Sequence, residues 1–255
     1  MSVDNIKSPT AMEELLAGVM VDKILYDKVQ LTEISGKEED ILAEENASAS
    51  DKITRVLANC IISLESSVPD TKPITDNNHL KAIVKNLAMG DRIFLFIRLR
   101  VLSLDQNFVM DLQCPSDEKV PFKATVDLNT LELKKLEDKN IRTMTVPLTD
   151  GGEVVLKLAT GHDEGLLSTI KNSKTRLTSG MMIRIESLNG KPASIEDVQK
   201  LSLRNRNTIR TATQKWDVGV DTTITATDPL DGKDFDTDLQ LMQASFFFPS
   251  EILVD

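Results

Sequence analysis

Aromatic residues are scarce in this chain: one Trp, one Tyr and eight Phe among 255 residues, with three of those Phe adjacent at 246–248. Only two cysteines are present, Cys60 and Cys114, so no disulfide framework holds the fold and a reducing compartment is expected. No apolar run approaches the ~20 residues needed to cross a bilayer. The richest stretch, Ile93–Leu104, is interrupted by Arg98 and Arg100. Met1–Pro9 lacks the apolar segment of a leader, so none is expected. Basic charge is also in deficit. Thirty Lys and Arg against forty Asp and Glu leave a net charge of −10, which argues against sequence-independent nucleic-acid binding. The local exception is 200–215, where Lys200, Arg204, Arg206, Arg210 and Lys215 occur with no acid. That stretch reads either as a solvated helix face or as a partner-binding one.

What the chain does have is a pattern that occurs twice. Phe108–Asp117 is a strand-like run ending in Cys114-Pro115-Ser116-Asp117, followed by an alternating run through Phe122 to Asp127-Leu128. Thr222–Asp231 repeats the plan with Asp228-Pro229-Leu230-Asp231, then Phe235 and Asp238-Leu239. Two related β-hairpins followed by Phe246-Phe247-Phe248 suggest a docking module more than an active site.

Around these, the periodicity predicts mixed structure. Met12–Val21 is read as a short helix after a loose arm, and Lys23–Leu31 alternates like a strand. Ser35-Gly36-Lys37-Glu38 has capping-box spacing. Ile53, Val56, Leu57, Cys60, Ile61 and Leu64 form one helical stripe, predicting a helix over Asp51–Glu65. A second short helix follows around Leu80–Leu87. Gly90-Asp91 reads as a break and cap before an apolar helix over Arg92–Leu104, with Arg98 and Arg100 on its polar edge.

Strands are expected near 108–113, 120–128, 142–148 and 153–159, the last two joined by Thr149-Asp150-Gly151-Gly152. A polar helix over Asp163–Arg176 and a strand over Met181–Leu188 come next. Beyond them lie a helix capped by Ser194 and another carrying Ile209, Ala212 and Trp216. Helices and hairpins segregate without βαβ alternation, so the class is α+β. The half before 106 is helix-rich; two related hairpin modules and a second helical segment come after it. Composition divides the chain into an N-terminal arm (1–22), a helix-rich region (23–106), a first hairpin region (107–160) and a closing region (161–255).

Chemistry is thinly supported. A structural zinc site needs four S or N ligands, and Asp117 stands where a second Cys would be required after Cys114. The aspartates at 228, 231, 234, 236 and 238 do not match a calcium-loop spacing. His162, Asp163 and Cys114 form the alternative, an enzymatic or metal-binding protein, but no nucleophile elbow or phosphate loop accompanies them. No catalytic, cofactor or metal residues are assigned. The partner-binding candidates are Phe246, Phe247 and Phe248 with Arg204, Arg206 and Arg210. Three consecutive Phe cannot share one face, so plugging the chain's own core and docking a partner both stay open.

The order of short motifs points further. Tyr26–Leu42 reads as a strand with an acidic helix start at Glu38-Glu39-Asp40, and Ala58-Asn59-Cys60-Ile61 and the Leu/Arg-rich helix at 95–102 come after it. Next are Cys114-Pro115, Val126-Asp127-Leu128, Val146–Gly152 and Ile185–Gly190. Gly219-Val220-Asp221-Thr222, Gly232–Phe235 and Phe247-Phe248-Pro249 close the series. In this order, across about 23–250, the chain resembles the T4-like phage baseplate proteins, a family of baseplate hub subunits and hub assembly chaperones. The resemblance implies a non-enzymatic role in building a contractile tail, through contacts with other tail and baseplate proteins. It places the protein in the virion baseplate, or in the host cytoplasm during assembly. Members of that family often carry paired cysteines in the hairpins; Cys114 stands alone here, so a metal-stabilised hairpin is not carried over.

Overall fold

The computed structural model describes residues 8–170 and 175–248. The chain opens on an antiparallel hairpin of β1 (Thr10–Val21) and β2 (Ile24–Thr32). Its two-residue turn, Asp22-Lys23, has both residues at positive φ, the twist that matches flanking strands. The helix expected over Met12–Val21 is therefore a strand. Leu15, Leu16 and Val19 have helix-like spacing, but the register of β1 shifts between Glu14 and Val19, and all three are buried.

This irregular stretch is held from two directions. Asp91 accepts hydrogen bonds from Leu16 N (2.5 Å) and Ala17 N (3.2 Å). Arg142 donates to Ala17 O (2.8 Å) and Gly18 O (3.2 Å). The backbone groups that a regular ladder would have paired are thus satisfied by these side chains and, at Leu16 O, by the Leu136 amide at 3.1 Å. Burial raises the Asp91 carboxyl to about 6, against the opposing pull of the Ala17 and Leu16 amides and of Arg142.

Next come α1 (Gly36–Ala43) and α2 (Ala49–Cys60), then β3 (Ile61–Glu65), α3 (Asn77–Val84) and α4 (Met89–Ser103). The predicted capping box forms: Glu38 Oε2 accepts from Ser35 N and Oγ at 3.1 and 2.6 Å. The expected helix over Asp51–Glu65 ends at Cys60. Its last residues instead pair with β2, Val29 opposite Leu64, completing a β1-β2-β3 sheet. Ile61 and Leu64 satisfy a helical stripe and a buried strand alike, and the sheet edge decides between them.

Gly90 and Asp91 do not break or cap the chain; they form the first turn of α4. Glycine is required at 90 by close approach, since a Cβ there would lie 2.2 Å from Val218 O and 2.9 Å from Gly219 Cα. Arg92, wholly buried, donates to Val84 O (3.2 Å), Ser50 O (3.2 Å) and Thr54 Oγ1 (2.9 Å), and pairs with Glu164 at 3.2 Å. Arg98 lies partly exposed against Glu13 at 2.8 Å. Arg100 is buried rather than on a polar edge, its guanidinium 5.4 Å from the Phe108 ring centroid.

The β-rich part begins there, with β4 (Asn107–Cys114), β5 (Asp117–Asp127), β6 (Leu133–Lys134), β7 (Thr143–Pro147) and β8 (Glu153–Lys157). The expected polar helix over Asp163–Arg176 is two elements: α5 (Gly161–Thr169) ends before the segment 171–174, which lies outside the described residues, and α6 (Arg176–Met182) begins after it. Met181 and Met182 close α6, so the strand expected over Met181–Leu188 is only β9 (Ile185–Leu188). Then come α7 (Ile195–Lys200), α8 (Leu203–Trp216), β10 (Gly219–Val220), β11 (Thr223–Thr227), β12 (Asp234–Asp238) and a 3-10 turn over Ala244–Phe246.

All the sheets among the described residues are small and antiparallel, and the class is α+β. One apolar core runs from Leu15 through α2, α3 and α4 to the two hairpins and Phe246. A second, with Val146, Val154, Leu156, Ile185, Val198 and Ile209, fills the space under the β7-β8-β9 sheet, α7 and α8. Trp216 packs against both.

Candidate interaction site

The repeated motif folds as one unit. Hairpins β4–β5 and β11–β12 meet at their turns, where Asp228 accepts from Ser116 N (2.9 Å) and Ser116 Oγ (2.7 Å), 112 residues away. Leu230 N donates to the same carboxylate at 2.8 Å. Phe122 of one hairpin meets Phe235 of the other edge to face, with centroids 6.2 Å apart. Burial pushes the Asp228 carboxyl up, but hydrogen bonds from Leu230, Ser116 and the Cys114 thiol outweigh it and hold the group below its ordinary value. The two Pro-containing turns therefore grip each other.

That arrangement disposes of an activated thiol. Burial pushes Cys114 up, and the Asp228, Asp117 and Asp231 carboxylates add to it, the opposite of what a nucleophile or metal ligand needs. Among the described residues no group of three or more His, Cys, Asp or Glu is arranged to hold a metal ion. Asp163 is engaged in capping α5 through Thr160 N (2.9 Å) and in an ion pair with Lys157 (3.0 Å). The His162 side chain is exposed beside it, and no hydrogen bond joins His162 to Asp163 or Cys114 among the described residues.

The Phe triplet divides its labour. Phe246 is fully buried, stacked 6.1 Å from Phe96 and edge-on to Phe108 at 4.9 Å, with the Arg100 guanidinium 5.6 Å from its centroid. A side chain with no exposed surface cannot meet a partner, so Phe246 is core and not a docking residue. Phe247 is half-buried, edge-on to Phe96 at 4.9 Å. Phe248, also half-buried, lines with Phe247 and Met242 a groove of about 370 Å³ beside Leu42 and Glu45.

Lys200 ends α7, and the rest of the basic stretch lies on α8, whose helix is capped by Ser202 and buries Asn205 and Ile209. Asn205 Oδ1 accepts from Thr149 N (2.9 Å), tying the helix to the β7–β8 turn. Arg206 faces inward, donating to Val198 O (3.0 Å) and Thr178 Oγ1 (3.4 Å). It holds α7 and α6 against α8, a structural part that the sequence pattern does not separate from the outward cations. Arg204 and Arg210 are exposed. Beside them, Leu203, Arg204, Asn207, Ala212 and Lys215, with Met144 of β7, line an open groove of about 820 Å³.

The described residues thus form an α+β fold with interlocked hairpins and an outward basic face on α8. The family model described as T4 bacteriophage base plate protein matches residues 19–209, most of the chain, and the protein belongs to that family. Neither a curated protein nor a solved structure matches it. No helix among the described residues is long and apolar enough to cross a membrane.

Proposed function

We propose that this baseplate protein works without catalysis, as a structural or assembly component of a contractile tail held in or on the hub by protein–protein contacts. Family membership across residues 19–209 is the observation that carries the reading. Its partners are other tail and baseplate proteins, met in the virion baseplate and, during assembly, in the host cytoplasm. Arg204, Arg210, Phe247 and Phe248 are the residues we assign to those contacts, because they retain accessible surface. Apolar anchors beside a polar, charged rim are the usual makeup of such a patch.

The test is mass spectrometry of purified particles, calibrated for copies per particle. A fixed small integer marks a permanent baseplate component. Absence from particles, with recovery on hub precursors, marks a chaperone of assembly. Absence from both overturns the reading.

A further inference from the structure

We infer that the outer face of α8 is a docking groove for an acidic, amphipathic segment of a different baseplate protein, an inference that rests on the proposed function. Charge complementarity is the first argument. The segment 200–215 carries five cations and no acid in a chain whose net charge is −10. Elsewhere, Arg55, Arg92, Arg98 and Arg184 each find a carboxylate within the chain. Arg204, Arg210 and Lys215 are exposed and form no ion pair among the described residues. No carboxylate among the described residues complements them.

The apolar surface supplies the second argument. Leu203 is 74% exposed and lines the groove with Met144 and Ala212, while Arg204 and Lys215 flank it. Residues 203 to 215 span about 18 Å of helix at 1.5 Å per residue, room for roughly three turns of a helix laid alongside. An occupant that fits presents a Leu- or Met-like side chain to Leu203 and carboxylates to the flanking cations. A nucleic acid fits less well. It offers no apolar stripe for Leu203, and the surplus of acids over the rest of the chain repels a polyanion.

Two measurements test this, made on whichever assembly holds the wild-type chain, the finished baseplate or the hub precursor. First, a photo-crosslinking amino acid replaces Thr211, which lines the groove, in chains incorporated into that assembly. The expected product joins position 211 to a net-acidic segment of another baseplate protein. Crosslinks to a neutral or basic segment, to a second copy of this chain or to nucleic acid overturn the inference, as does no crosslink. Second, the variant Arg204→Glu/Arg210→Glu/Lys215→Glu is assayed for incorporation in competition with the wild type.

All three sites are exposed, so the thermal midpoint is expected to hold, and incorporation is expected to fall roughly tenfold. Equal incorporation overturns the inference. If the triple variant unfolds, Arg204→Glu alone, read as a change in the salt dependence of incorporation between about 50 and 500 mM, replaces it; an unchanged dependence overturns the inference. Wild-type chain absent from both baseplates and hub precursors fails the proposed function itself. Chain present but uncoupled from an acidic partner fails only the inference.

Discussion

Phe246 offers the sharpest test of how this fold is held together. Its ring is fully buried between Phe96 and Phe108, touches Phe247 at a centroid distance of 5.1 Å, and lies with the Phe108 ring beside the Arg100 guanidinium. Truncating a buried Phe to Ala costs about 3–5 kcal/mol through lost transfer energy and the cavity left behind. Phe246→Leu keeps much of the volume but removes the ring, and with it the aromatic pairs and the face offered to Arg100. Those are worth about 0.5–1.5 kcal/mol per aromatic pair and up to ~2 for a desolvated cation. Leu is therefore expected to cost about 2 kcal/mol, and Ala about 4.

The Arg100 side makes the difference larger than packing alone suggests. Among the described residues its terminal nitrogens bond only the Asp105 and Asn107 carbonyls, and its Nε has no hydrogen-bond partner. Burial already lowers its pKa, and removing a ring face leaves the charge less compensated. The assay is urea unfolding of wild type, Phe246→Leu and Phe246→Ala, with a thermal midpoint shift of roughly 10 °C for Ala in a chain of this size. A loss below about 1 kcal/mol for Phe246→Ala, outside the range for buried Phe, would refute the core assignment and return Phe246 to the surface.

Gly90→Ala is expected to destabilise by about 1–3 kcal/mol, because its Cβ would collide with the Val218 carbonyl; Gly36→Ala, whose Cβ meets nothing within 4 Å, is the control expected to leave the urea midpoint nearly unchanged. Asp91, with a folded-state pKa of about 6 against 3.8, keeps a proton in the folded chain that the unfolded chain has released between those values. Its contribution to stability therefore falls as pH rises through that window, by about 3 kcal/mol, and the urea midpoint of wild type minus Asp91→Asn should show this slope between roughly pH 4 and 6. Asp228, held below its ordinary value, contributes stability that is present above the unfolded pKa and is lost as pH falls through the folded one. Asp228→Asn is expected to lower the thermal midpoint near neutral pH and to narrow its gap to wild type in acid, while Asp236→Asn, on the exposed face of β12, changes little.

Local chemistry was legible in the sequence wherever a single element decided the outcome. The Ser35–Glu38 and Ser194–Asp197 capping boxes, the Gly151-Gly152 hairpin turn and the apolar stripe of α2 come from spacing alone. It failed where a distant element decided. Ile61–Glu65 is a strand because β2 lies beside it, and Met12–Val21 is a strand because Asp91 and Arg142 satisfy its irregular backbone. Gly90 read as a break because the strand that crowds it arrives more than a hundred residues later. The candidate site divides on the same line. The basic stretch was visible as composition, but which arginines point outward depends on α6 and α7, which take Arg206.

The repeat carries the deepest consequence of this kind. Read along the chain, Cys114–Asp117 and Asp228–Asp231 look like two independent hairpin arms. In the fold they close on each other, with Ser116 donating from its N and Oγ to the Asp228 carboxylate at the junction. The family match stops at 209, yet three separate contacts bind the C-terminal segment beyond it to the matched region. Gly219 and Val220 pair with Lys134 and Leu133, Asp228 grips Ser116, and Phe246 fills the space between Phe96 and Phe108. The second hairpin is thus part of the body that the matched region needs to bury its own core. A detachable hairpin is therefore not available for docking, and the contacts we propose fall on the outward face of α8 and on the half-buried Phe247 and Phe248.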